Sequence, residues 1–111
     1  MRKFGIFLLA AAAAMAFADS KKSGLKPGDP DKGKAVFEQC AVCHNPDNEV
    51  KKVGPGLKGL FKRAKLHSTG KKVNEENVLS RINEGGGGMP AFAEMLTDQE
   101  KTDLIAYLET L

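Results

Sequence analysis

The apolar positions of this chain change rhythm several times along its length. Phe4 to Met15 is an uncharged apolar run rich in alanine. Arg2 and Lys3 precede it, and Ala16-Phe17-Ala18 follows. A basic start, a short apolar stretch and an A-x-A site are the marks of a cleavable export signal. The run is short for a bilayer span, which needs about 20 apolar residues. Residues 1–18 are therefore read as a signal peptide cut after Ala18, which sends the remaining chain to the periplasm or beyond. Asp19 to Gly28 is polar, with lysines, serines, glycines and a proline, and reads as a flexible leader with no fold of its own.

Helical patterning begins at Asp29-Pro30, where Asp can cap and Pro suits the first helical position. Val36 and Phe37 give this helix an apolar side as it runs towards Cys40. Gly33 is out of place in a helix interior, where it costs about 1 kcal/mol against Ala. Its presence predicts that another backbone passes close by. Asn45 to Lys72 has no regular period. Leu57, Leu60, Phe61 and Leu66 are isolated apolar anchors among Gly, Pro and Lys. A structureless stretch this long is unusual in a small domain, so it is expected to wrap over something rigid. Asn74 can cap a second helix, with Val73 and Val78 as a hydrophobic staple. Val78, Leu79 and Ile82 form its buried side, and Gly85 to Gly88 stop it. The third helix starts at Thr97, with Glu100 completing a capping box. Leu104, Ile105, Leu108 and Leu111 follow at helical spacing. No strand and no internal repeat is predicted.

After export, about 93 residues remain, enough for one small domain, 29–111. A domain of that size has a thin core and generally needs a staple. The charge pattern adds a second feature. The 17 Lys and Arg nearly balance 14 Asp and Glu over the whole chain, but the signs are separated. The stretch 51–72 carries Lys51, Lys52, Lys58, Lys62, Arg63, Lys65, Lys71 and Lys72 and no acid. From Val73 onward only Arg81 and Lys101 stand against Glu75, Glu76, Glu84, Glu94, Asp98, Glu100, Asp103 and Glu109. The chain is therefore dipolar, and a basic surface of this kind steers association with acidic partners.

The chain's 2 cysteines both lie in Cys40-Ala41-Val42-Cys43-His44. A C-x-x-C-H run in an exported chain reads as a covalent attachment site for c-type haem. Thiols three residues apart sit about one helical turn from each other, so both can reach the two vinyl-derived carbons on one edge of a porphyrin. The adjacent histidine is then carried under the ring, where its imidazole can ligate iron. A zinc site would need four ligands, and adjacent Cys43 and His44 fit poorly around one small ion. A thioredoxin-like dithiol would need a βαβ context, and a plain disulfide leaves His44 unexplained. One haem, held through Cys40 and Cys43, would supply the staple that the small core requires.

The iron's second axial position has Met89, Met95 and His67 as candidates. Met89 follows Gly85 to Gly88 and precedes Pro90. Glycines permit the strained backbone that pushes a sulfur towards a ring, and proline stiffens the exit. Met89 is the preferred ligand, with an open or labile site as the alternative. Met95 is assigned to the core, and His67 to a solvated loop.

The chain resembles class I cytochromes c across nearly all of Asp29 to Leu111. The matching stretches are Gly33-x-x-x-Phe37, Cys40-Ala41-Val42-Cys43-His44, Gly54-Pro55-Gly56-Leu57-Lys58-Gly59-Leu60-Phe61-Lys62-Arg63, Met89-Pro90-x-Phe92 and Asp103-Leu104-Ile105-Ala106-Tyr107-Leu108. The resemblance implies an all-α cytochrome c fold, with three main helices and ordered loops around one covalently bound haem. It implies His44 as proximal and Met89 as distal ligand, and a crossing of first and last helices at Gly33 and Phe37 against Leu104 and Tyr107. It further implies that the Pro55 carbonyl accepts a hydrogen bond from His44, that Leu57 contacts the ring, and that Arg63 lies near a propionate. Mitochondrial-type members bond a propionate with a tryptophan, and this chain has none. The short segment between Arg63 and Asn74 and the glycine run before Met89 point to a small bacterial form with an exposed haem edge.

His/Met ligation leaves no open position on iron, so the expected function is one-electron transfer between respiratory or other periplasmic redox partners. A thioether ligand raises the potential. A haem peroxidase or small-ligand sensor with a labile Met89 is the alternative, and an internal relay in a fixed complex is a third. The expected partners are redox proteins with acidic docking surfaces and, peripherally, membrane oxidoreductases, met by a monomer. Nothing in the chain resembles a groove-reading element, so nucleic acid is not among them.

Overall fold

The computed structural model describes residues 25–111. The expected signal peptide, 1–18, and the expected leader up to residue 24 lie outside the described residues. The helices are α1 (Pro30–Phe37), α2 (Glu75–Glu84) and α3 (Asp98–Leu108), with a short 3₁₀ turn at Leu60–Lys62. Among the described residues there is no strand, only isolated bridges at Lys65–Lys72 and Gly86–Met89.

Each helix starts where local chemistry dictates. Asp29 Oδ1 accepts from the N–H groups of Asp31 at 2.9 Å and Lys32 at 3.4 Å, and Pro30 opens α1. Asn74 Oδ1 accepts from Asn77 N at 2.7 Å. Val73 and Val78 are both buried on either side of that cap, as a hydrophobic staple requires. Thr97 and Glu100 bond each other's backbone N–H groups, at 2.9 Å and 3.1 Å. These caps satisfy helix-terminal donors that would otherwise lack partners.

The frame of the fold is the crossing of α1 over α3. A β-carbon at Gly33 would overlap the Asp103 carbonyl and come within 2.8 Å of Tyr107 Cβ. Phe37 and Tyr107 pack ring to ring at 5.4 Å with a 54° tilt, a favourable arrangement of aromatic quadrupoles. Leu104, at 1% exposure, is the most enclosed large side chain. Asp103 is buried beside it, and its Oδ1 accepts from Asp29 N at 2.9 Å and Gln99 Nε2 at 3.0 Å. A buried carboxylate thus joins the start of α1 to α3, its desolvation offset by these bonds.

The last residues read as leader lie against this frame. Lys26 exchanges two hydrogen bonds with the Gln99 side chain, at 2.7 Å and 3.1 Å. Gly28 sits so close to α3 that a β-carbon would be 2.7 Å from Thr102 O and 2.8 Å from Ala106 Cβ.

One core assignment is corrected. Met95, placed in the core on sequence, is 59% exposed, and Leu96 takes the inward position at 6%. Both Met95 N and Leu96 N bond to the Phe92 carbonyl, at 3.0 Å and 3.2 Å. This turn puts Phe92 and Leu96, four residues apart, on one inward side and rotates Met95 out.

Candidate functional site

The backbone of α1 does not stop abruptly. Cys40 N and Ala41 N bond Phe37 O at 2.7 Å and 2.9 Å, then Cys43 N and His44 N bond Cys40 O at 3.1 Å and 2.9 Å. This sequence of tight turns presents Cys40, Cys43 and His44 to one side, all half-buried. Lys52 Nζ donates to Ala41 O at 2.8 Å and so fastens the following loop to the same turn. Burial, and then the neighbouring Cys43, push the Cys40 thiol above its ordinary value.

That side opens on a cavity of about 540 Å³, within the range of small-molecule and cofactor sites. Its apolar walls come from every part of the fold. Leu57, Leu60 and Leu66 come from the long loop, Val78 and Ile82 from α2, Phe92 from the segment after the glycines, and Leu104 and Leu108 from α3. Long, unpatterned Asn45–Lys72 therefore wraps a hollow that its own side chains do not fill.

All seven residues singled out from sequence line this cavity: Cys40, Cys43, His44, Pro55, Leu57, Arg63 and Met89. His44 Nδ1 lies 2.8 Å from Pro55 O. The carbonyl can only accept, so Nδ1 carries a proton and Nε2 is the ring nitrogen left to face a metal. Arg63 is half-buried, and its Nη2 donates to Gly56 O at 2.8 Å and Lys58 O at 2.9 Å. Met89 enters on the loop of Gly85 to Gly88, whose φ values are 65°, 121°, 60° and 94°. Only glycine holds such angles at no steric cost. His67 is exposed but lies on the rim of the same cavity. Met95 is not part of it.

Two residues that touch the site escaped the sequence reading. Gly54 lies under the His44 ring: a β-carbon there would overlap Cε1 and sit 2.8 Å from Nδ1. No local pattern announces this contact. Arg81 donates to Gly85 O and Gly86 O at 2.8 Å and 2.9 Å. A basic residue in a helix's last turn commonly bonds nearby carbonyls, so its position was a usable signal.

The site fits a haem on its own chemistry. Two thiols, an imidazole nitrogen not engaged by Pro55 and a thioether share a hollow that is otherwise mostly apolar. The comparisons agree. The family model for cytochrome c matches residues 30–111. A cytochrome c2 of Blastochloris viridis is 35% identical over 130 aligned positions, covering 98% of this chain and 93% of the relative. A cytochrome c2 of Rhodopila globiformis is 32% identical, over 77% of this chain and 95% of that one. The solved structure of cytochrome c6 from the diatom Phaeodactylum tricornutum superposes with a TM-score of 0.59 at 27% identity, covering 75% of this chain and 93% of the other. The chain belongs to the cytochrome c family: an all-α electron-transfer protein whose haem c is attached through Cys40 and Cys43.

Proposed function

We propose that this protein is a one-electron carrier between redox proteins of an exported compartment, with His44 and Met89 as the axial ligands of its haem. The observation that carries the reading is that both side chains reach one apolar cavity from separate segments. His44 arrives with its tautomer set by Pro55. When bound, the haem supplies an iron(III)/iron(II) couple, and a thioether ligand favours the reduced form.

The chain's own residues do the rest. Pro55 fixes the imidazole plane, as outer partners of metal-bound histidines do. Leu57 and Arg63 line the cavity; Leu57 would cover the ring and Arg63 would offer a cation to a propionate. The apolar walls keep water away and so disfavour the extra ferric charge. The basic segment 51–72 contributes Lys51, Arg63 and His67 to the cavity's border, beside exposed Val42 and Val53. A border that is both apolar and basic supports brief docking on partners with acidic surfaces.

A sensor or peroxidase would need Met89 to leave. The two-way backbone bonding of Gly86 with Met89, at 2.9 Å and 3.0 Å, favours the carrier instead. Absorption spectroscopy tests the proposal. The purified protein should show a low-spin ferrous c-type spectrum, unchanged by CO, and the weak sulfur-to-ferric-iron band. A ferrous spectrum that shifts at once under CO overturns it in favour of the sensor.

A further inference from the structure

Arg81 occupies the last turn of α2 and lines the cavity, yet the electron-transfer reading gives it no task. Its guanidinium spans two successive carbonyls, Nη1 to Gly85 O at 2.8 Å and Nη2 to Gly86 O at 2.9 Å. The Gly86 carbonyl also accepts from Met89 N–H at 3.0 Å, and Gly86 N–H donates to Met89 O at 2.9 Å. One oxygen is thus shared between the guanidinium and the backbone of the sulfur-bearing residue. The loop it belongs to has four consecutive glycines at positive φ, the chain type that gains most freedom when released.

We propose that Arg81 is a positioning residue for Met89. Its two-carbonyl clamp turns a glycine loop into a fixed mount and holds the sulfur on the iron. This rests on the ligation reading above. Charge-assisted bonds from a planar fork suit two adjacent carbonyls. A lysine ammonium keeps the charge but has no fork. A helix cap alone would act on α2 and leave the sulfur–iron bond as it was.

The test is imidazole binding to the ferric holoprotein. Imidazole enters only when Met89 leaves, so the limiting rate at saturating imidazole reports loop opening. Arg81→Lys and Arg81→Gln should each raise that rate about tenfold or more, the loss expected for bonds to a charged donor. Wild-type rates in the variants, or full restoration by lysine, overturn the clamp. Should Arg81→Gln fail to mature, Arg81→Lys decides by the same outcomes. A wild type that lacks the sulfur-to-iron band, with a spectrum unaltered by Met89→Ala, overturns the ligation reading and the clamp with it. A wild type that has the band, with unaltered imidazole rates in the variants, sinks the clamp alone.

Discussion

Gly33 of α1 meets the Asp103 carbonyl of α3 so closely that a β-carbon would overlap the oxygen. Helix backbones approach to this distance only across a glycine. Gly33→Ala must separate the helices or bend one, and overpacking of this kind costs about 1–3 kcal/mol. Denaturant unfolding of the holoprotein should show a lower midpoint, with the unfolding free energy reduced by that amount. An unchanged midpoint would mean that the crossing is looser than described.

Asp103 is buried and accepts from Asp29 N–H and Gln99 Nε2. Asp103→Ala should destabilise by about 1–3 kcal/mol, because it strands a half-buried donor. Asp103→Asn keeps an acceptor oxygen and should lose much less. Equal losses in the two variants would assign the effect to the charge.

Gly54→Ala pushes on the His44 ring at Cε1 and Nδ1. The imidazole should tilt and its hydrogen bond to Pro55 should weaken. Electron paramagnetic resonance of the ferric protein should then show altered g-values, with a reduced yield of mature haem protein. Wild-type g-values would show that the ring has room to spare.

Glu109 has its carboxyl raised above the ordinary value by burial, then by the charge of Glu75 and a hydrogen bond to it. A raised folded-state pKa means that the native state holds this proton more tightly than the unfolded chain. Stability from this group is present at low pH and is lost as pH rises through the folded value. Glu109→Gln should therefore stabilise the neutral-pH protein, by no more than about 0.5 kcal/mol at so exposed a site. The gain should vanish below the ordinary carboxylate range. Urea titrations at neutral and acidic pH check this, and a gain that persists in acid contradicts it.

Rates with a natural redox partner should fall as salt rises if segment 51–72 guides encounter. Stopped-flow kinetics across ionic strength read this directly, and a flat profile removes the steering role.

The helix starts were legible because a cap is a local event. Asp29-Pro30, Asn74 and Thr97-x-x-Glu100 each declare a terminus within a few residues. Cys40 to His44 was legible for the same reason, since its chemistry depends on spacing alone. Contacts made across the chain were not. Nothing near Asp103 indicates that its carboxylate is buried, because the donor Asp29 N–H lies 74 positions away. Met95 and Leu96 are adjacent and both apolar, so only the turn at Phe92 decides which faces inward. The glycine loop was noticed for its freedom, while Arg81, four residues upstream, was counted only as a charge, although its place in the last turn of a helix hinted at bonds to the carbonyls that follow.

The fastening of Lys26 and Gly28 also settles a question of exit direction. They press on Gln99, Thr102 and Ala106, whereas Leu104 and Leu108 of the same helix border the cavity. At 100° per residue these two sets lie on opposing flanks of α3. A tether, a tag or an immobilising surface attached at Leu25 would start from the flank away from the cavity and leave the redox face turned outward. Wiring this protein to an electrode or a fusion partner is therefore best done from that end.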